Sequence, residues 1–190
     1  MGADDTSTTG RAVTTLADPQ VVLEQLSSSV YRVLRRMGVP SDEVDDVLQS
    51  VLIQLFLRWE RLGTLPFAEL RAYACTVASG AAVDHARRRK LRSNLLVPLE
   101  GDPVLPKAGA EDALDQQQAL ELLDQVLAKL PEEPRIVFIL FELEEVSLLE
   151  IASRLSIPMG TVASRLRRAR EEFARIVERI QKTQAREDRR

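Results

Sequence analysis

The stretch EIASRLSIPMGTVASRLRRAR, Glu150 to Arg170, reads as two short helices joined by a tight turn. Ser147 lies three residues before Glu150, the spacing of a reciprocal capping box that satisfies free backbone N–H groups at a helix start. Ile151, Ala152 and Leu155 then give one apolar face, and Ile157-Pro158 ends the helix. The spacing predicts a second helix from about Gly160-Thr161, with Val162, Leu166, Ala169, Phe173, Ile176 and Ile180 on one buried stripe. Its other face carries Thr161, Ser164, Arg165, Arg167 and Arg168. A helix-turn-helix lays its second helix in the major groove, where short hydroxyls and arginines suit phosphates and guanine edges. A solvated basic face on an ordinary helical pair is the competing reading. The capping box, the hydroxyl-rich start and five arginines between Arg165 and Arg175 favour DNA.

Working outward, the 190 residues suffice for one medium domain or two small ones, and 45% apolar content supports real cores. Aromatics make up only 4% of a chain rich in Leu, Ala, Glu and Arg, so the expected class is all-α. No apolar run reaches the roughly 20 residues needed to span a bilayer. The amino terminus MGADDTSTTGR is acidic and polar where a signal peptide is basic then apolar, so a cytoplasmic protein without membrane insertion is expected. Cys75, the one cysteine, reads as a core residue among Ala74, Val77 and Ala78. His85, the one histidine, lacks partners at metal-ligand spacing and reads as structural or DNA-facing. No metal, cofactor or catalytic constellation is expected.

The net charge of −3 conceals separation along the chain. Cations gather at His85–Arg92 and Arg165–Arg179, and carboxylates at Asp42–Asp46, Glu100–Asp115 and Glu132–Glu150. Such a pattern suits two DNA patches and a protein partner elsewhere.

The organisation follows from punctuation. Residues 1–18 have no sustained period and read as a mobile tail. A helix from Pro19 carries Leu23, Leu26, Val30, Val33, Leu34 and Met37 on one face and ends at Gly38-Val39-Pro40. Ser41 is expected to cap a second helix with Asp42 and Glu43 in its first turn. Its stripe is Val44, Val47, Leu48, Val51, Leu52, Leu55, Phe56 and Trp59, leaving Asp45, Asp46, Gln49 and Arg58 outside. After Gly63-Thr64-Leu65-Pro66, a helix rich in small residues runs from about Phe67 to Arg89. It ends in DHARRRK, and four consecutive cations exceed what helix-end charge compensation requires. Residues 93–112, with Pro98, Gly101, Pro103, Pro106 and Gly109, read as a flexible linker. It separates a first domain, 19–92, from a second, 113–182, followed by a polar tail, 183–190. The second opens with a helix bearing Leu120, Leu123, Val126, Leu127 and Leu130.

These residues together resemble the extracytoplasmic-function group of the sigma-70 family of bacterial RNA polymerase sigma factors. LPEEPRIVFILFELEEVSLLEIASRLSIPMGTVASRLRRAR, Leu130 to Arg170, is similar to region 4 of the family. DDVLQSVLIQLF, Asp45 to Phe56, resembles region 2.2, and RAYACTVASGAAVDHARRR, Arg71 to Arg89, resembles regions 2.3 to 2.4. The resemblance implies a three-helix region 2 domain and a helix-turn-helix region 4 domain. It implies that Asp45, Asp46, Gln49 and Gln54 bind the β′ clamp helices of core RNA polymerase, with the β flap as a further contact. It assigns the minus-ten element to the loop Arg61–Pro66 and the following helix, through Arg61, Asp84, His85, Arg87, Arg88 and Arg89. The minus-thirty-five element falls to Thr161, Ser164, Arg165, Arg167 and Arg168. An anti-sigma factor is an implied additional partner. Ser50, Phe56, Ser79, Gly80 and Ala163 depart from the family's usual residues, so an individual target sequence is expected. The alternative is a stand-alone helix-turn-helix regulator that binds duplex DNA without polymerase.

Overall fold

In a computed structural model the described residues are 18–93 and 112–187, and they are helical with no strand among them. Helix α1, Pro19–Arg36, is capped by Asp18, whose carboxylate accepts the Gln20 N–H at 2.9 Å. Met37 closes it and Gly38, at φ 91°, turns the chain in the left-handed region that glycine tolerates. Helix α2 spans Val44–Phe56, the short α3 Trp59–Leu62, and α4 Phe67–Ser93. Leu26, Val30, Val33 and Leu34 of α1 meet Val44, Val47, Val51 and Leu55 of α2, with Leu70, Ala74, Ala78 and Ala82 of α4 closing the core. Gly63 lies under the Trp59 indole, where an added Cβ would come within 2.8 Å of the ring.

The second unit comprises α5, Asp112–Ala128; α6, Glu132–Phe138; α7, Leu148–Leu155; and α8, Met159–Glu187. Its core gathers Val126, Leu127, Leu130, Val137, Leu140, Ile151, Val162, Leu166, Ala169 and Ile176. Phe138 and Phe173 stack at 5.1 Å between α6 and α8. The Ser147–Glu150 capping box forms in both directions. Ser156 adopts the left-handed conformation at φ 54°, ψ 43°, and Pro158 O accepts from the N–H groups of Thr161 and Val162 as α8 begins.

Several expectations are corrected. Ser41 does not cap α2: residues 41–43 form a turn, Glu43 precedes the helix without a side-chain cap bond, and Asp45 and Asp46 occupy the first turn. The reason is lateral, because Glu43 is drawn across to His85 and Arg89 on α4. Phe56 leaves the buried stripe and is 55% exposed, since α2 stops there and the chain bends before Trp59. Leu120 is 56% exposed, because the row of α5 facing α8 is Leu122, Leu123 and Val126. Helix α8 runs on to Glu187, making much of the expected polar tail helical. The expected linker lies almost wholly outside the described residues, as does the amino-terminal tail.

The units touch through α4 and α1 of the first and α5, α7 and the π-helical turn Ile139–Leu143 of the second. Polar contacts dominate the specific pairings. Arg154 donates to Glu69 O at 2.9 Å and its guanidinium lies 5.6 Å from the centre of the Tyr73 ring. Arg135 donates to Met37 O of the first unit at 3.1 Å, and to Leu130 O and Ala128 O of its own. Burial pushes the Arg135 pKa below its ordinary value.

Cys75 is fully buried, as expected, and lies 3.9 Å from the Glu144 carboxylate. Burial, and secondarily that carboxylate, push its thiol up from 9.0 to about 12. In the unfolded chain the thiol ionises near its ordinary value while the folded one keeps its proton. Stability should therefore fall as pH rises from about 9 towards 12, and a thiol reagent at pH 8 should label Cys75 only after unfolding. Ser147→Ala should destabilise the second unit by about 1 kcal/mol in urea unfolding, the usual worth of a helix cap.

Candidate nucleic-acid interface

Three surfaces carry the residues singled out by the sequence. On α2, Asp45, Asp46, Gln49 and Gln54 are all exposed. The same helix buries Val44, Val47, Val51 and Leu55, so the acidic face stands on a rigid apolar spine. Beside it lies a feature the sequence reading missed. Ile53, Phe56 and Leu57 are 56%, 55% and 77% exposed, and Leu52, Ile53 and Phe56 line a groove with Pro19 and Leu23 of α1. Carboxylates and amides rim this apolar patch, the composition common to protein-docking surfaces. The signal was present: Gln49, Leu52, Ile53 and Phe56 sit at i, i+3, i+4 and i+7, a second stripe beside the buried one.

The second surface is the end of α4 with the loop before it. Arg61 is exposed on α3, and Thr64 caps its carbonyl at 3.0 Å. Asp84, Arg87, Arg88 and Arg89 are exposed, whereas His85 is turned inward. His85 Nε2 lies 2.5 Å from Glu43 Oε2, and Arg89 Nε approaches the same carboxylate at 3.8 Å. Arg87 lies 4.0 Å from Glu132 of the second unit, and Arg88 makes no ion pair among the described residues. The histidine thus ties α4 to the turn before α2, while its neighbours face water. Ser79 is buried and bonds to Cys75 O, and an added Cβ at Gly80 would meet nothing within 4 Å.

The third surface is the start of α8. Thr161, Ser164, Arg165 and Arg168 fall at i, i+3, i+4 and i+7 and so form one row along the helix. Arg165 is held at 2.6 Å by Glu133, which orients it from α6. Arg168 is exposed and makes no ion pair among the described residues. Arg167 lies off the row and pairs with Glu171 one turn on at 2.8 Å. The opposite face, Val162, Leu166 and Ala169, is buried on α6 and α7. Burial of one face fixes the azimuth of the other.

Comparison with known proteins decides the family. Residues 22–92 match the model of sigma-70 region 2 and residues 120–173 that of sigma-70 region 4. The chain is 35% identical over 147 residues to the ECF RNA polymerase sigma factor SigF of Caulobacter vibrioides, covering 76% of this chain and 75% of that protein. The chain belongs to the extracytoplasmic-function group of sigma-70 factors. Ferric citrate uptake sigma factor FecI of Escherichia coli is 30% identical over 132 residues, covering 68% of this chain and 73% of the relative. SigW of Bacillus subtilis is 26% identical over 162 residues, with 79% and 83% covered. The fold matches that of CnrH bound to the cytosolic domain of CnrY, at TM-score 0.55 and 20% identity, over 85% of this chain and 98% of that one. It also matches a sigma factor RpoE bound to the anti-sigma factor NepR from Bartonella quintana, at TM-score 0.58 and 20% identity, over 84% and 93%.

The protein is therefore an alternative sigma factor, which serves promoter recognition at transcription initiation, and the stand-alone regulator is set aside. No helix among the described residues is long and apolar enough to cross a membrane.

Proposed function

We propose that this sigma factor divides its work among the three surfaces just described. The observation that carries the reading is their placement: one partly apolar, acidic face on α2, and separate cationic surfaces on α4 and α8. Asp45, Asp46, Gln49 and Gln54 engage the β′ clamp helices of core polymerase, with Ile53 and Phe56 supplying the desolvated centre. Carboxylates around an apolar centre give register and on-rate, and the centre gives most of the affinity.

Arg61, Asp84, Arg87, Arg88 and Arg89 meet the minus-ten element, and His85 acts from behind by holding α4 against Glu43. The arginine contacts fall on phosphates and make binding steeply salt-dependent. Thr161, Ser164, Arg165 and Arg168 read the minus-thirty-five element from α8, and Arg167, off the row, adds phosphate attraction. The second unit also contacts the β flap. The chain contributes position and binding energy and no catalytic group, so the polymerase performs the chemistry in the cytoplasm. The complexes of CnrH with CnrY and of RpoE with NepR support an anti-sigma factor as a further partner.

The purified chain mixed with core polymerase should co-elute and support transcription from a cognate promoter. Tight duplex binding with no affinity for core would overturn the reading. Replacing Asp45 and Asp46 together by lysine should weaken core binding at least tenfold while costing only about 1 to 2 kcal/mol of urea stability, the loss of two carboxylates from the first turn of α2. Arg168→Ala should reduce affinity for a minus-thirty-five duplex by roughly 1 to 3 kcal/mol without changing core binding, as measured by fluorescence anisotropy and co-elution. Equal loss of both activities would contradict the division of labour.

A further inference from the structure

We propose that Glu144 is an electrostatic clasp that holds the two units closed in the free protein and must be released before both promoter elements are bound. The purpose assigned to release rests on the function proposed above; the clasp itself rests on geometry alone.

Glu144 is among the most deeply buried charged residues described, with its side chain wholly shielded from water. It belongs to the second unit, yet its partners belong to the first. Oε1 accepts from Arg36 Nη1 at 2.7 Å, and Oε2 faces Arg32 Nη2 at 3.4 Å, Arg71 Nη1 at 3.6 Å and Cys75 Sγ at 3.9 Å. Three guanidiniums from α1 and α4 therefore converge on one carboxylate. A second acid points the same way. Asp124 of α5 lies near Arg35 and Arg36, which lower its pKa, although burial raises it more. Basic residues on one side and acids on the other make the contact complementary in sign.

The backbone before Glu144 is specialised to present it. Ile139–Leu143 form a π-helical turn, which inserts an extra residue relative to an α-helix. Glu145 follows at φ 55°, a left-handed conformation uncommon for a residue other than glycine. Val146 N–H then bonds back to Leu140 O at 2.9 Å, closing the loop. Two uncommon backbone features thus flank a single residue, and that residue reaches into the other unit. Strain concentrated in this way persists only where the surroundings enforce it, and here the enforcing contact lies between the units.

The chemistry makes the contact selective and reversible. Burying a carboxylate among guanidiniums sacrifices hydration on both sides, so the net stability gained is modest even though the pairing is specific. On separation all four groups regain water, which offsets much of the pairing that is lost. Two elements read at once must lie on separate stretches of duplex, whereas the closed units touch. The 18 residues between Ser93 and Asp112 reach at most about 65 Å when extended, which lets the units part widely once the clasp opens.

The test uses the full chain with spin labels at Ser28→Cys on α1 and Ala174→Cys on α8, both exposed positions, in a Cys75→Ala background. Pulsed dipolar measurements should give one short, narrow distance for this parent. Glu144→Arg should shift most of the population to longer, broad distances, and Arg36→Glu should do the same from the other unit. Both variants should keep the parent's helical circular dichroism, so that loss of folding cannot account for the shift. Free Glu144→Arg should bind a two-element promoter fragment about tenfold or more tighter than the parent, because the binding-competent fraction rises. A parent distribution that is already broad, or one unmoved by Glu144→Arg, would overturn the clasp while leaving the sigma reading intact. Failure of every variant to bind core polymerase would instead overturn the proposed function and leave the distances to judge the clasp.

Discussion

The relation between the two units depends on a carboxylate buried among guanidiniums. Each unit has its own apolar centre: Leu26, Val30 and Leu34 in one, Ile151, Val162 and Leu166 in the other. Apolar burial is non-directional and would tolerate many relative arrangements, whereas Glu144 meets Arg32, Arg36 and Arg71 in only one. The charges therefore choose the arrangement, and Arg135 to Met37 O and Arg154 to Glu69 O reinforce the same register. A greasy interface of equal extent would join the units permanently. A polar one can be undone.

The same division between apolar foundation and polar display recurs within each unit. Helix α8 buries Val162, Leu166, Ala169 and Ile176, and this fixes which way Thr161, Ser164, Arg165 and Arg168 face. Helix α2 goes further, with a buried stripe at Val44, Val47, Val51 and Leu55 and a second, exposed one at Ile53 and Phe56. A helix apolar on two faces can bury both, and the first unit covers only the stripe that packs on α1 and α4. His85 illustrates the supporting role: its pairing with Glu43 is spent inside the unit, so that the cations following it on α4 can face outward.

Much of this is legible in the sequence, for a physical reason. The capping box at Ser147 and Glu150, the break at Pro158 and the stripe of α8 are local, set by residues within one or two turns of each other. The two-unit order, region 2 then region 4, followed from motifs of similar locality. Phe56 and Leu120 were misread because periodicity reports which residues are apolar, not whether a neighbour arrives to cover them. Ser41 was misread because Glu43 answers to His85, 42 residues away. Glu144 is legible in the sequence only as one member of the acidic run Glu132–Glu150. That it alone enters the other unit depends on the π-turn and on Arg36, 108 residues distant, and no local rule encodes such a pairing.

A chain that acts by position must reconcile two demands. Linking two DNA-reading units multiplies their affinities only when the tether lets both engage at once, and the benefit vanishes if geometry forbids it. A rigidly open protein would satisfy that condition at all times, yet would let both cationic surfaces engage any duplex at once, since phosphate contacts bind without regard to sequence. Holding the units together through Glu144 withholds bivalent binding from stray DNA without weakening either reading surface, since Arg88 and Arg168 stay exposed throughout. The discrimination then resides in the energy needed to part the units, which polymerase and promoter supply jointly and nonspecific duplex does not.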